Sequence, residues 1–401
     1  MTAIKVFYNT LPGQKINGLV QESGIWEQPP YTSFHHILNT LGIQYEWSND
    51  PSDSLVILDI GSTPYETQKE TVENLIEDYI SKFGKTILFT SQEPIRPDEI
   101  DNVLNKYPDL FVMDIRLANN PTHERYIPFP SLFARLINPY CNVIDLHPTV
   151  DTWSTNKPNT FNNLKWRWTP DKFATQYAIN KSGVESQALI SYQRPGEHYS
   201  REQLQEVIYD MTSHREDMTK FDEKIFPGIM KFLDNMPTIT LQDDKPFNVL
   251  YRYHPKYVYD DSYFTLVNEN FNYGVDDYQD ACAVSDQYFY ISEKTIYPMI
   301  QGHPIIVLGN SATHYMLDQL GFEMFDEILS YDHDLLTYGM DRIDRVCANI
   351  SQFDVAKYEK HVVEINKKIQ HNQRLLTNTG SSLWIKLKQV METNIGKYYD
   401  I

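Results

Sequence analysis

The chain has 401 residues, 41% of them hydrophobic and 13% aromatic, and carries a formal net charge of −19. That length exceeds one ordinary core and predicts two domains, while the acidity argues against a large electrostatic footprint for nucleic acid. No run approaches the roughly 18 apolar residues of a membrane span, and MTAIKVFYNT enters a strand-like segment without any signal-like start, so a cytoplasmic protein is expected. The three cysteines, Cys141, Cys282 and Cys347, are far apart and lack metal spacing. They read as buried thiols in a reducing compartment.

In chain order, IKVFYN (4–9) reads as a first strand, and Phe34, Ile37 and Leu38 form a helical stripe that stops at Gly42. SLVILDIG is a buried strand, ETVENLIEDYISKFG a helix with Val72, Leu75, Ile76 and Ile80 inward, and KTILFTS another strand. A helix in DEIDNVLNKYPD and a strand in LFVMDI continue the beat. Strands alternating with helices predict a parallel sheet covered on both faces.

From Thr149 to Gln187 the period is lost in NKPNTFNNLKWRWTP, which reads as an interdomain segment. The alternation resumes with the strand in ESQALISYQRP, a helix from Ser200 to Met211, the strands FNVLYRYHP and SYFTLVNEN, and a helix from Ser311 to Leu320. In the last segment Val355, Tyr358, Val362, Ile365 and Ile369 recur at helical spacing, predicting an amphipathic helix that packs across the domains. The expected organisation is an N-terminal domain at 1–160, a linker at 161–187, a C-terminal domain at 188–350 and a helical segment at 351–401. Ligands in such folds bind at the C-terminal ends of the strands, here in a cleft between two sheets.

Chemistry-bearing residues collect at those ends. ISEKTIYPMIQGHPIIVLGN (291–310) reads as a strand end, a helix capped by Ser292, a Gly stop and a second buried strand, with Glu293 suited to the positive first turn of the helix. Lys294 is not suited to it, and its place there makes sense if an anion such as phosphate sits between it and the free backbone N–H groups. Arg194, His198 and Arg201 lie in a turn after a strand, either as donors to a diphosphate or as a solvated turn. Asn268, Glu269 and Asn270 end a strand, either as sugar or ribose ligands or as a capping turn. Glu93, after the central strand KTILFTS, is a candidate base for an acceptor hydroxyl or a rim carboxylate. The pairs Asp243–Asp244 and Asp276–Asp277 lie in polar, turn-like segments and are not read as metal sites. Walker, dinucleotide-binding, nucleophile-elbow and HExxH motifs are lacking.

The ordered set of a basic turn, Asn268-Glu269-Asn270, Ser292-Glu293-Lys294, Gly302 to Gly309 and Leu320-Gly321-Phe322 to Phe325 resembles the α1,3-fucosyltransferase-like glycosyltransferases, in particular their divergent bacterial and phage branch. The similarity spans roughly 191–331. It implies the GT-B plan of two Rossmann-like domains, with a sugar nucleotide in the C-terminal domain and the acceptor in the N-terminal one. It further implies Glu293 on the ribose, Lys294 and an arginine of the basic turn on the diphosphate, Glu93 as base, no required metal, and no cofactor beyond the donor. Ser292 stands where the family has Thr, and Glu323-Met324-Phe325 stands at its T-x-F position; neither change removes a charge.

The resulting expectation is an inverting glycosyltransferase acting on a glycan or small hydroxyl acceptor. One alternative is a phage enzyme acting on hydroxymethylated bases of DNA, for which Lys165, Arg167 and Lys172 would supply a basic groove. Another is a non-catalytic protein that binds sugar nucleotides or glycans.

Overall fold

The computed structural model describes residues 3–10, 15–16, 19–20, 33–60, 65–90, 95, 97–114, 117–118, 123–129, 153–165, 170–192, 256–269, 288–336 and 339–399. They fall into two compact units, one drawn from Met1–Ile144 and Leu376–Ile401, the other from Asp145–Pro246 and Arg252–Leu375.

The first unit runs β1 (Ile4–Thr10), α1 (Ser33–Thr40), β2 (Tyr45–Trp47), β3 (Leu55–Asp59), α2 (Lys69–Phe83), β4 (Thr86–Thr90), α3 (Pro97–Lys106), β5 (Leu110–Asp114) and β6 (Tyr126–Pro128). Its sheet has the order β2-β1-β3-β4-β5-β6, parallel throughout. Strands β3, β4 and β5 are buried along their whole length, which is why they read as unbroken apolar runs. On α1, Phe34, Ile37 and Leu38 are fully buried, and on α2 the inward residues are Val72, Ile76 and Tyr79. Proline opens α3, where a missing N–H costs nothing. Arg125 closes it, donating to the carbonyls of Leu104 (2.6 Å) and Tyr107 (2.6 Å), and also to Pro108 and Leu110.

The second unit runs β7 (Asn159–Lys165), α4 (Pro170–Ser182), β8 (Ala188–Tyr192), α5 (Lys256–Asp260), β9 (Ser262–Asn268), α6 (Glu293–Ile300), β10 (Ile305–Leu308), α7 (Thr313–Gln319), α8 (Gly339–Ser351) and α9 (Val355–Thr377). Its sheet has the order β8-β7-β9-β10, again parallel. The stacked rings of Phe161 and Phe264, 5.9 Å apart, lie in a core shared with Phe173 and Tyr177 of α4, Ile343 and Val346 of α8, and Ile365 of α9. Gly302 ends α6 at φ +84°, and a Cβ there would meet Gln373 Nε2 at 2.7 Å. The positive φ is what favours glycine here; the Gln373 amide could shift aside.

The stretch expected as a linker, 161–187, carries most of β7 and all of α4. Its sequence hid them because β7, NTFNNLK, buries asparagines where a strand pattern would show apolar residues: Asn162 and Asn163 are fully buried. The final helical segment also divides. Helix α9 belongs to the second unit and α10 (Ser382–Tyr399) to the first, where the Tyr398 hydroxyl donates to Lys85 O (2.5 Å) and accepts from Val56 N (3.2 Å). Trp384, buried on α10, donates to Leu376 O at 2.8 Å.

Both sheets place their second strand outside the first and their third on its other side. The strand order therefore reverses between β1 and β3 in one unit and between β7 and β9 in the other, the places where open α/β sheets hold ligands. Among the described residues no helix is long and apolar enough to cross a membrane.

Candidate functional site

In the second unit, β9 ends at Asn268 and α6 begins at Glu293, and the two ends meet. Ser292 has extended backbone and caps the helix, its Oγ accepting from Lys294 N at 3.2 Å. Glu269 is fully buried just past β9, with its own N–H donating to Leu308 O of β10 at 2.9 Å. Its carboxylate accepts from Ser292 N (2.8 Å), from the Ser292 hydroxyl and from the Thr295 hydroxyl. The N-terminus of α6 is thus occupied by a carboxylate of the chain itself, placed where the helix dipole favours negative charge. Lys294, partly exposed, holds its ammonium 3.3 Å from Ser292 Oγ. Glu269 thus supplies a carboxylate to the backbone and hydroxyl donors of this first turn.

Asn268 is anchored in a buried polar chain. Its Oδ1 accepts from Asn163 Nδ2 (2.9 Å) and its Nδ2 donates to Thr175 Oγ1 of α4 (2.7 Å), while Asn163 Nδ2 also donates to Leu266 O (2.6 Å). These bonds tie β7, β9 and α4 together below the point where the strand order reverses. Asn163 Oδ1 finds no partner among the described residues, a cost that apolar packing would avoid.

The structure therefore brings together Asn268, Glu269, Ser292 and Lys294. Glu293 is the first residue of α6, and its side chain lies outside the described structure. Glu93, Arg194, His198, Arg201 and Asn270 also lie outside the described residues, as do Arg167 and the side chain of Lys165. Lys172, from the groove considered for DNA, is buried on α4 at 3% exposure. An ammonium so placed is not available to a surface phosphate. Cys347 is buried on α8, and Cys141 and Cys282 lie outside the described residues.

A second polar cluster lies at the end of β10. Asp334 is 8% exposed; its Oδ2 accepts from His314 N (2.6 Å) and His314 Nδ1 (2.9 Å), and its Oδ1 from Arg342 (3.2 Å). His314 Nε2 accepts from Val307 N at 3.0 Å, so that ring carries its proton on Nδ1. His333 donates from Nε2 to Val307 O at 3.1 Å. Among the described residues, His314, His333 and Asp334 could by distance hold a metal ion. Their chemistry argues otherwise: both His314 nitrogens are committed to hydrogen bonds, and a guanidinium already shares the carboxylate. Burial pushes the His333 imidazole down to about 3, and the nearby His314 adds to this. Burial opposes ionisation of Asp334, but His314, then His333 and Arg342, outweigh it and hold the carboxyl near 2.

Sequence reasoning passed over Thr295, Asn163, Thr175, Asp334 and Arg342. Two of them left a signal: asparagines in the middle of a strand, and an arginine on the apolar stripe of α8 four residues before Val346. The pairing of Glu269 with Ser292 and Thr295 gave none, since twenty-odd residues separate them in the chain.

These observations define an α/β protein of two units, each on a parallel sheet, with a polar site at the strand ends of the second. No protein-family model matches the sequence, and comparison with curated proteins finds no match. Among solved structures, an S. aureus MnaA–UDP co-structure is similar at 9% identity and a TM-score of 0.30, over 92% of this chain and 87% of that one. At that TM-score the likeness supports no functional inference.

Proposed function

We propose that the second unit binds a nucleoside-diphosphate sugar and that the protein is an inverting glycosyltransferase of the GT-B type. The observation that carries this reading is the meeting of Asn268-Glu269 with Ser292-Glu293-Lys294 at the C-terminal edge of a parallel sheet. These are two of the five elements on which the similarity to fucosyltransferase-like enzymes rests, and a ligand site built from both needs them adjacent. Glu269 orders the N-terminus of α6 and so sets the base from which Lys294 reaches. The Lys294 ammonium would neutralise charge on the diphosphate as it leaves, an effect worth most where the donor is fixed in advance. By the same similarity, Glu293 takes the ribose hydroxyls, an arginine of the 194–201 turn the second phosphate, and Glu93 the proton of the acceptor hydroxyl. The acceptor oxygen then bonds to the anomeric carbon as its bond to the diphosphate breaks, inverting that centre. This scheme asks for no metal and no cofactor beyond the donor.

The test is a thermal-shift panel of GDP-, UDP-, CDP- and dTDP-sugars on the full chain, with Lys294→Ala alongside. One class should raise Tm by mass action, and Lys294→Ala should keep the unliganded Tm while losing most of that shift and most transfer. A wild-type protein that answers to none of the four, or a Lys294→Ala variant with full donor affinity, overturns the reading.

A further inference from the structure

The four residues that follow β10, Gly309 to Ala312, receive an unusual concentration of buried polar support. Arg342, 1% exposed, donates to the carbonyls of Gly309, Asn310 (3.0 Å) and His333 (3.2 Å) as well as to Asp334 Oδ1. Asp334 adds its own carbonyl, which accepts from Ala312 N at 3.1 Å, and its carboxylate holds His314 immediately beyond. Ala312 sits at φ 58°, the one described non-glycine residue in the left-handed region. A β-carbon is disfavoured there, and such strain persists only where surroundings impose it.

This support is not an economical way to stabilise a fold. A buried ion pair is commonly no better for stability than apolar packing of the same volume. What the pair does achieve is a fixed backbone, because the guanidinium fork binds several carbonyls in one geometry. The fixed backbone also adjoins the candidate site. A Cβ on Gly309 would lie 3.4 Å from Glu269 Cβ, and Asn310 Oδ1 accepts from Tyr290 N at 3.2 Å, two residues before the Ser292 cap. Asn310 and Ala312 are partly exposed, unlike β10 itself.

We infer that the Gly309–Ala312 turn is the β10 wall of the donor site, contacting the nucleoside diphosphate through its backbone, and that Arg342 and Asp334 are positioning residues for it. This rests on the donor-site reading given above. Arg342 never touches the ligand; it turns two carbonyls inward and so sets which backbone groups the turn offers outward.

The experiment uses the full chain with Arg342→Lys, Arg342→Met and the paired Arg342→Met/Asp334→Asn. The paired change removes both charges together, so it tests the turn even if Arg342→Met alone fails to fold. Three readouts are taken: Tm, amide exchange at 310–313, and donor KM against kcat for the nucleotide sugar giving the largest thermal shift. The expected result for the paired variant is a folded protein, exchange at 310–313 at least tenfold faster, and a donor KM at least tenfold higher. Acceptor KM and kcat at saturating donor should stay within about threefold. Arg342→Lys should fall between it and wild type. Unchanged exchange at the turn, or a loosened turn with donor KM within twofold of wild type, overturns the inference while leaving the donor site standing. A wild-type protein that binds none of the four nucleotide-sugar classes overturns the donor site and this inference together.

Discussion

Glu269 offers the sharpest test of how the site is built. Replaced by alanine, it leaves three donors without their acceptor: Ser292 N, the Ser292 hydroxyl and the Thr295 hydroxyl. The amide has no freedom to turn elsewhere, and a buried donor left unsatisfied costs roughly 1–3 kcal/mol. The hydroxyls can rotate toward backbone carbonyls, so they add less, about 0.5–1 kcal/mol each. Loss of the negative charge at the helix N-terminus adds roughly 0.3–2 kcal/mol. Together these predict a loss of about 2–7 kcal/mol for Glu269→Ala. Glutamine keeps the shape and one oxygen acceptor, and its amide can donate to a hydroxyl that then accepts. It forfeits the charge alone, so Glu269→Gln should cost about 1–2 kcal/mol. The assay is urea unfolding of the second unit, with amide exchange over 292–296 locating the effect. Equal losses for the two variants, or a loss below about 1 kcal/mol for alanine, would refute the internal-anion account of this helix.

Two buried histidines predict a specific acid weakness. Burial pulls both His303 and His333 down to about 3, so each stays neutral in the fold, whereas the unfolded chain takes up a proton below about 6.5. Their contribution is complete above about pH 6.5 and shrinks as pH falls toward 3; by pH 5 the loss is roughly 2 kcal/mol per histidine. Urea midpoints at pH 7.5, 6 and 5 should show it, and His303→Asn should flatten the slope by about one proton; an unchanged slope in that variant contradicts the assignment. In the first unit, Arg125→Ala strips the end of α3 of its carbonyl partners. It should destabilise that unit by roughly 1–3 kcal/mol, read as faster exchange at 104–110, and leave the proposed nucleotide-sugar binding by the second unit unchanged.

The sequence by itself determined four of the six strands of the first unit's sheet and three strands of the second. LVILD, TILFT, LFVMD and IIVL are short apolar runs bounded by breakers, and burial on both faces of a parallel sheet demands that composition. It also marked Ser292 as a cap, since capping is local chemistry within one turn. Where the pattern failed, polar residues were buried: β7 escaped notice because Asn162 and Asn163 spend their amides inside the sheet. Lys294 shows the limit most clearly. Its position at a helix start called for an anion, and that much was legible; that a carboxylate of the chain already sits at this helix start was not. Only the tertiary structure carried Glu269 from the end of another strand to the three donors of α6. In the same way only packing revealed that Arg342, one cation on an apolar stripe, holds a turn thirty-odd residues earlier. Local propensities act over a few residues, whereas these partnerships exist only once the sheet sets strand ends side by side.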